Sequence, residues 1–283
     1  MKLVISSAVS ALFLSVSAPA LVSASDAQAS AFTLKGSARI RYETISDLFR
    51  AGASGSDQQL SSRLRILGEY DAGRFVLGGE FLDARGWLSD SGSVIPNGSV
   101  NAAELFQAYI RVPFEGGEVQ AGRFAMTIGS GRLANEQNFR NSANNFEGVR
   151  GRFRIAENMT LEAFYTAPVR IAPGDFNGLR NNTVQLDEGE WGTGFYGLHL
   201  TRTGLPHNLR LEAYVFGLNE ESGAELITPG LRIMRPRAAG QYDFDLEIMG
   251  QTGDQPVGGI TRDVRAWSAH IAAGYSFDAD WDP

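Results

Sequence analysis

"FTLKGSARIRYETIS", residues 32 to 46, alternates almost without error. Phe32, Leu34, Ala38, Ile40 and Tyr42 share one parity, and Lys35, Ser37, Arg39, Arg41 and Glu43 share the other. Successive side chains of an extended chain point to opposite faces, so this is a strand with one oily face and one charged face. Leu60 to Tyr70 repeats the pattern, setting Leu60, Leu64, Ile66 and Tyr70 against Arg63, Arg65 and Glu69, and a turn at Asp71-Ala72-Gly73 follows.

Working outward, further strands are predicted over Arg74–Leu82, Glu104–Val112, Glu118–Met126, Phe146–Ile155, Met159–Thr166, Gly194–Thr201, Leu209–Gly217, Ile227–Ile233, Gln241–Met249 and Val264–Tyr275. That makes about a dozen, a number in the range of outer-membrane barrels. Val149, Gly151, Phe153 and Ile155 oppose Arg150, Arg152 and Arg154; Tyr242, Phe244, Leu246 and Ile248 oppose Gln241, Asp243, Asp245 and Glu247. Alternation of this kind also suits a soluble sandwich, in which the charges face water and the apolar side packs on a second sheet. Loop lengths decide between the two. Ala156-Glu157-Asn158 and Ala238-Ala239-Gly240 are tight turns, whereas Asp83 to Ala103 and Pro168 to Thr193 are long and polar. Short turns on one rim and long loops on the other predict an all-β fold, an antiparallel up-and-down transmembrane β-barrel. Aromatics near strand ends, including Phe32, Tyr42, Tyr70, Tyr165, Tyr196, Tyr242 and Tyr275, are candidates for its interfacial girdles.

Composition agrees. Lys2, the apolar run Leu3 to Val16 and the small residues Val22-Ser23-Ala24 read as a signal peptide over residues 1–24, leaving residues 25–283 as the barrel domain; a second small-residue cut falls after Ala27-Gln28-Ala29. There is no cysteine, which excludes a disulfide framework and thiol chemistry. Past the signal, no window approaches the ~18 apolar residues of a spanning helix, a test that strands do not have to pass. A net charge of −7 argues against nucleic acid as a partner. The 33 glycines suit many strands joined by tight turns.

The stretch "GRFAMTIGSGRLANEQNFRNSANNFEGVR", residues 122–150, carries four arginines and five asparagines without a helical apolar stripe. Gly129-Ser130-Gly131 with Ala134 matches the spacing of a dinucleotide fingerprint, but Asn135, Glu136, Gln137 and Asn138 follow in place of an apolar helix, so the nucleotide reading is rejected. A loop folded into the pore fits better, with Arg132, Arg140 and the asparagines, Asn138 and Asn141 among them, donating to sugar hydroxyls. His199, His207 and His270 lie on separate elements without metal-ligand spacing. The chain has no Gly-x-Ser-x-Gly elbow, and Asp187, Glu188 and Glu190 lie in a loop where solvation explains them. Asp175 and Asn177 match only part of a calcium loop. No enzyme activity and no cofactor are expected.

Phe106-Gln107-Ala108-Tyr109-Ile110-Arg111, Val119-Gln120-Ala121-Gly122-Arg123, Gly129-Ser130-Gly131-Arg132-Leu133, Phe139-Arg140-Asn141 and Phe146-Glu147-Gly148-Val149-Arg150 together resemble the alginate-export family of outer-membrane β-barrels. The resemblance is densest from Phe106 to Arg154 and departs from the family pattern at Phe124 and Glu147, which loosens the link to alginate itself. It implies a pore of about eighteen strands with an arginine-lined lumen through which an acidic polysaccharide passes. On that pattern the sequence, ending at Asp280-Trp281-Asp282-Pro283, reads as incomplete at its C-terminus; a closed twelve-strand barrel is the alternative.

The lumen-parity charges Lys35, Arg39, Arg41, Arg63, Arg65, Arg150, Arg152 and Arg154, with Arg132 of the loop, form a basic arc suited to anions, because arginine binds carboxylates in a fork and keeps its charge. Arg123 shares parity with Val119 and Ala121, so alternation sends it outward and only the resemblance, or a bulge, places it in the lumen. Asp243, Asp245, Glu247 and Glu162 could neutralise arginines across the strands. The expected partners are an anionic polysaccharide or a small anionic solute, outer-membrane lipid and lipopolysaccharide, and periplasmic export machinery. A general or acidic-solute porin for small anions and a soluble periplasmic β-sandwich that binds acidic glycans are the alternatives.

Overall fold

The computed structural model describes residues 31–45, 57–88 and 100–278. The signal segment, two of the loops and the last five residues lie outside them. The strands are β1 (Ala31–Ile45), β2 (Asp57–Asp71), β3 (Val76–Trp87), β4 (Asn101–Phe114), β5 (Gly117–Phe124), β6 (Phe146–Ala156), β7 (Met159–Arg170), β8 (Glu188–Gly189), β9 (Thr193–Leu205), β10 (Leu209–Glu220), β11 (Glu225–Arg235), β12 (Gln241–Val257) and β13 (Ile260–Ser276). Each long strand pairs antiparallel with the next in sequence, giving one up-and-down sheet in the order β1-β2-β3-β4-β5-β6-β7-β9-β10-β11-β12-β13, with β8 paired to the end of β7. No pairing joins β13 to β1 among the described residues.

All twelve long strands were predicted from alternation, and the two faces follow it. On one side Ile40, Val149, Leu231, Ile248 and Ile271 stand exposed, Leu231 at 62% and Ile271 at 79%. On the other lie buried Arg63, Glu80, Glu212 and Glu247. No second sheet covers the apolar side among the described residues, which removes the sandwich. A contiguous apolar surface of this extent is not what a soluble monomer presents to water.

The aromatics sit at two levels of that face. Phe32 pairs with Tyr70, Phe114 lies 6.0 Å from Phe153, and Tyr242 lies 4.8 Å from Tyr275, all at the short-turn rim. Tyr42, Trp87 and the stacked pair Tyr165 and Tyr196 lie toward the other rim. Ten residues separate Phe32 from Tyr42 on β1. That is ~34 Å of strand and, at a tilt of ~40°, ~26 Å along the axis, the height of the apolar band of an outer-membrane barrel.

Turn chemistry closes the short rim. Asp71 Oδ1 accepts the Gly73 N–H at 2.7 Å, and Gly73 takes φ = 77°, which a side chain would resist. Within the wall, Gly122 and Gly148 face each other across β5 and β6 with φ of 120° and 152°. A Cβ on either would collide with the neighbouring strand's backbone, at Ala108 O or Tyr165 O. Only glycine permits that local kink.

Candidate functional site

Residues 125–145, between β5 and β6, form a loop that lies on the charged face. Its fold is local: Ile128 N–H bonds Ala134 O at 3.1 Å, Gly131 N–H bonds Ile128 O at 3.0 Å, and Asn144 N–H bonds Glu136 O at 2.7 Å. Met126, Ile128 and Ala134 bury themselves against an aromatic seat of Phe124, Phe146, Phe164, Tyr214 and Phe216. Ala143 joins a second cluster with Leu82, Ala84 and Phe106. Burial of these groups supplies the driving force for docking, and polar contacts fix the register.

Those polar contacts reach strands far apart in the sheet. Near β1 and β2, Arg39 donates to Asn138 O (3.3 Å) and Arg140 O (2.6 Å), Arg41 to Phe139 O (2.8 Å), and Arg63 to Asn138 O and Arg140 O (both 2.9 Å). Arg65 forks onto Glu80 at 2.6 and 2.9 Å, reaches Glu136 at 2.5 Å, and lies 4.7 Å over the Phe106 ring. At the opposite end, Glu247 of β12 takes Arg132, Ser130 Oγ at 3.1 Å and Tyr214 OH at 2.7 Å.

Strands β2 and β12 are nine pairings apart, about 43 Å on a flat sheet. Glu136 and Arg132 are only four residues apart, at most ~14 Å of chain. A flat sheet would need that stretch and all four bridging side chains at full extension. The Ile128–Ala134 bond folds the loop back instead, so the sheet curls around it with the charged face inside. The loop crosses that interior.

The placement of the candidate residues divides them. Lys35 is exposed, 3.5 Å from Glu69; Arg41 lies 2.9 Å from Glu43; Arg150 lies 3.7 Å from Glu162. Arg152 and Arg154 are exposed near the short-turn rim, and among the described residues no carboxylate lies within 4.0 Å of them, of Arg39, of Arg63 or of Arg140. Arg132 is committed to Glu247, with Asp245 3.7 Å away.

Two expectations need correction. Asn141 is buried and spends its amide on the wall, donating to Ser62 O at 2.9 Å and Arg85 O at 3.1 Å, while Asn145 donates to Phe106 O at 2.6 Å. These asparagines clamp the loop and do not present amides to sugars. Asn138 receives Arg65 at its side-chain oxygen (3.1 Å) and two guanidinia at its carbonyl.

Arg123 is the other. The register sets it opposite Ala108 and Glu147, the parity of exposed Ile110 and Val149, as alternation had it. There it pairs with Glu104 and Glu147, each at 2.7 Å, and donates to Asp187 O at 3.0 Å, in a cavity of about 600 Å³ under Leu186 and Trp191. Two carboxylates neutralise it, so it belongs to a rim network rather than to the basic row inside.

That network was missed because its parts lie far apart in sequence. Asp187 takes the Ala172 N–H at 2.8 Å and the Asn101 amide at 2.7 Å, and its own N–H goes to Glu104 at 2.9 Å. Burial raises the Asp187 carboxyl above its ordinary range, outweighing the Ala172 and Asn101 hydrogen bonds and the Arg123 charge. The buried inner acids Glu80, Glu212 and Glu247 were legible as charged-parity positions; Arg232, which bonds Asp245 at 2.7 Å and Glu212 at 3.1 Å, completes the far cluster.

Among solved structures, the fold resembles Pseudomonas aeruginosa OccK9 (OpdG), at TM-score 0.56 and 12% identity over 87% of this chain and 64% of that one. It also resembles Acinetobacter baumannii OccAB4, at TM-score 0.52 and 11% identity over 86% of this chain and 63% of that one. Both are outer-membrane porins, and this chain spans somewhat under two thirds of their length. No curated protein sequence matches it. A family profile described as alginate export matches residues 31–283, nearly the whole chain beyond the segment read as the signal. With the fold of a porin wall and that match, the chain belongs to the alginate export family.

Proposed function

We propose that this chain forms the wall of an outer-membrane channel that passes an anionic polysaccharide or oligosaccharide, after export directed by its N-terminal signal. One observation carries the reading: inside the curled sheet, Arg39, Arg63, Arg140, Arg152 and Arg154 have no carboxylate within 4.0 Å among the described residues, while the neighbouring arginines are neutralised. Unneutralised guanidinia facing a narrow water-filled space attract anions, and repeated weak contacts let a polymer advance. Lipid covers the apolar face, lipopolysaccharide meets the long loops, and export machinery would dock at the short-turn rim.

Membership of the family does not name the substrate. A second reading, a porin for small acidic solutes, is favoured by the loop itself, which narrows the interior across which it lies.

Planar-bilayer recording of the full-length chain tests both. A salt gradient should give a reversal potential of anion preference, and R152S/R154S should reduce that preference and slow block by oligogalacturonate, since both residues sit at one mouth. Block that strengthens with oligomer length supports polymer passage; free permeation of monomeric uronate with no length dependence supports the small-solute porin. Cation preference in the unmodified chain would overturn the anion reading.

A further inference from the structure

Arg39 and Arg63 are directly opposite each other in the β1–β2 ladder. Like charges in that position repel. Among the described residues no carboxylate lies within 4.0 Å of either. Both guanidinia converge on the same two backbone oxygens, Asn138 O and Arg140 O, at 2.6 to 3.3 Å, while Arg41 holds Phe139 O between them at 2.8 Å. Two oxygens shared by two guanidinium forks is the arrangement a carboxylate adopts. Carbonyls bring the oxygens but not the charge, so the repulsion is relieved only in part. Arg39 Nε is also buried without a hydrogen-bond partner, leaving one donor unused. The next arginine along is different: Arg65 already has Glu80 and Glu136.

We infer that Arg39 and Arg63 form a carboxylate site held shut by the loop's own carbonyls, and that a carboxylate of an acidic glycan displaces Asn138–Arg140 and releases this end of the loop. The inference rests on the anion-channel reading and deepens it by making the transported group the agent that opens the passage. The carbonyls bring no net charge to set against the two guanidinia, whereas a carboxylate adds Coulombic attraction to both forks, so the exchange favours the carboxylate. Asn141 and Asn145, clamped to wall carbonyls, keep the following segment in place and confine the movement to the residues before them. At the far end Arg132 remains on Glu247, so the segment would open from one side.

The chain lacks cysteine, so F139C provides a single attachment point, at a side chain that is 71% exposed. A nitroxide there is followed by electron paramagnetic resonance in reconstituted full-length protein, alongside bilayer recording of the same preparation. Trigalacturonate should raise the mobile component at least threefold, while maltotriose and sodium chloride at matched ionic strength leave it unchanged. In R39K/R63K, which keeps the charge but loses the fork, the label should be mobile from the start and respond less than twofold. Should that pair fail to assemble, R63Q should show the same direction of change.

A label that stays immobile at trigalacturonate concentrations that block conductance overturns the latch and leaves the channel reading standing. A label mobilised equally by sodium chloride overturns it as well, reducing the effect to screening. Absence of any anion preference or block is a failure of the functional reading, and the label then judges the latch separately.

Discussion

Glu247 shows how one side chain sets the position of a loop. It is only 4% exposed, yet it receives Arg132, Ser130 Oγ and the Tyr214 hydroxyl, two of them from the loop and one from β10. A buried carboxylate is tolerated because both of its oxygens accept from donors and a guanidinium offsets its charge. In E247Q the amide nitrogen would turn a donor toward donors and remove the charge that holds Arg132. Loss of such a partner costs roughly 1–3 kcal/mol. The expected outcome is local: faster hydrogen exchange at the Ile128 and Gly131 amides, whose bonds define the loop tip, by about tenfold or more. The melting of the strand ladders should hardly move, because no ladder bond involves Glu247's side chain. Exchange unchanged in E247Q would show that the aromatic seat alone holds the loop.

At the scale of elements, the loop 171–192 offers a pH handle. Asp187 anchors it beside Asn101, Glu104 and Arg123. Its carboxyl is raised by burial above the ordinary value of 3.8, so the docked loop binds the proton more tightly than the undocked one. The sign follows: docking is strongest below the ordinary value and weakens as pH rises through the raised one. A spin label at Q185C should therefore become more mobile as pH rises from below about 4, the ordinary carboxyl range, and D187N should flatten that change. A profile that persists in D187N would assign the dependence to another group.

The same scale shows what the sequence could and could not disclose. Period-two alternation disclosed the long strands because each separates two solvents. It underestimated β12 and β13, whose outer parts run through Gly250, Gly253 and Pro256 and so look like a loop; the hairpin continues there because each strand satisfies the other's backbone up to Val257 and Ile260. β8 has two residues and no period to detect. The loop over residues 125–145 was recognisable by its composition, but its partners were not, since Arg39 and Arg63 bind backbone carbonyls, which every residue carries. Arg123 teaches a narrower lesson. Its parity pointed outward and the register agrees, so local alternation was the better guide than resemblance.

For the whole molecule, everything turns on which solvent meets the apolar face. Leu231 tests this directly: it stands at the middle of β11, 62% exposed, opposite Ile248 and Ala213 in the ladders on either side. If that face meets water, L231R is a surface substitution and should change stability by no more than about 0.5 kcal/mol. If it meets hydrocarbon, a guanidinium near the midplane of the barrel should cost ~2–4 kcal/mol. The same residue placed on the inner face, as in Q120R, stands opposite Arg111 and Arg150 in the ladders, a like-charge cost of ~0.2–1 kcal/mol that is still well below the penalty in hydrocarbon. Denaturant titration of the full-length chain in lipid vesicles, followed by heat-modifiable gel migration, separates the two. A large penalty at 231 with a small one at 120 fits a wall between lipid and an aqueous lumen. Equal and small penalties would place water on both sides of the sheet, and the channel would lose its physical basis.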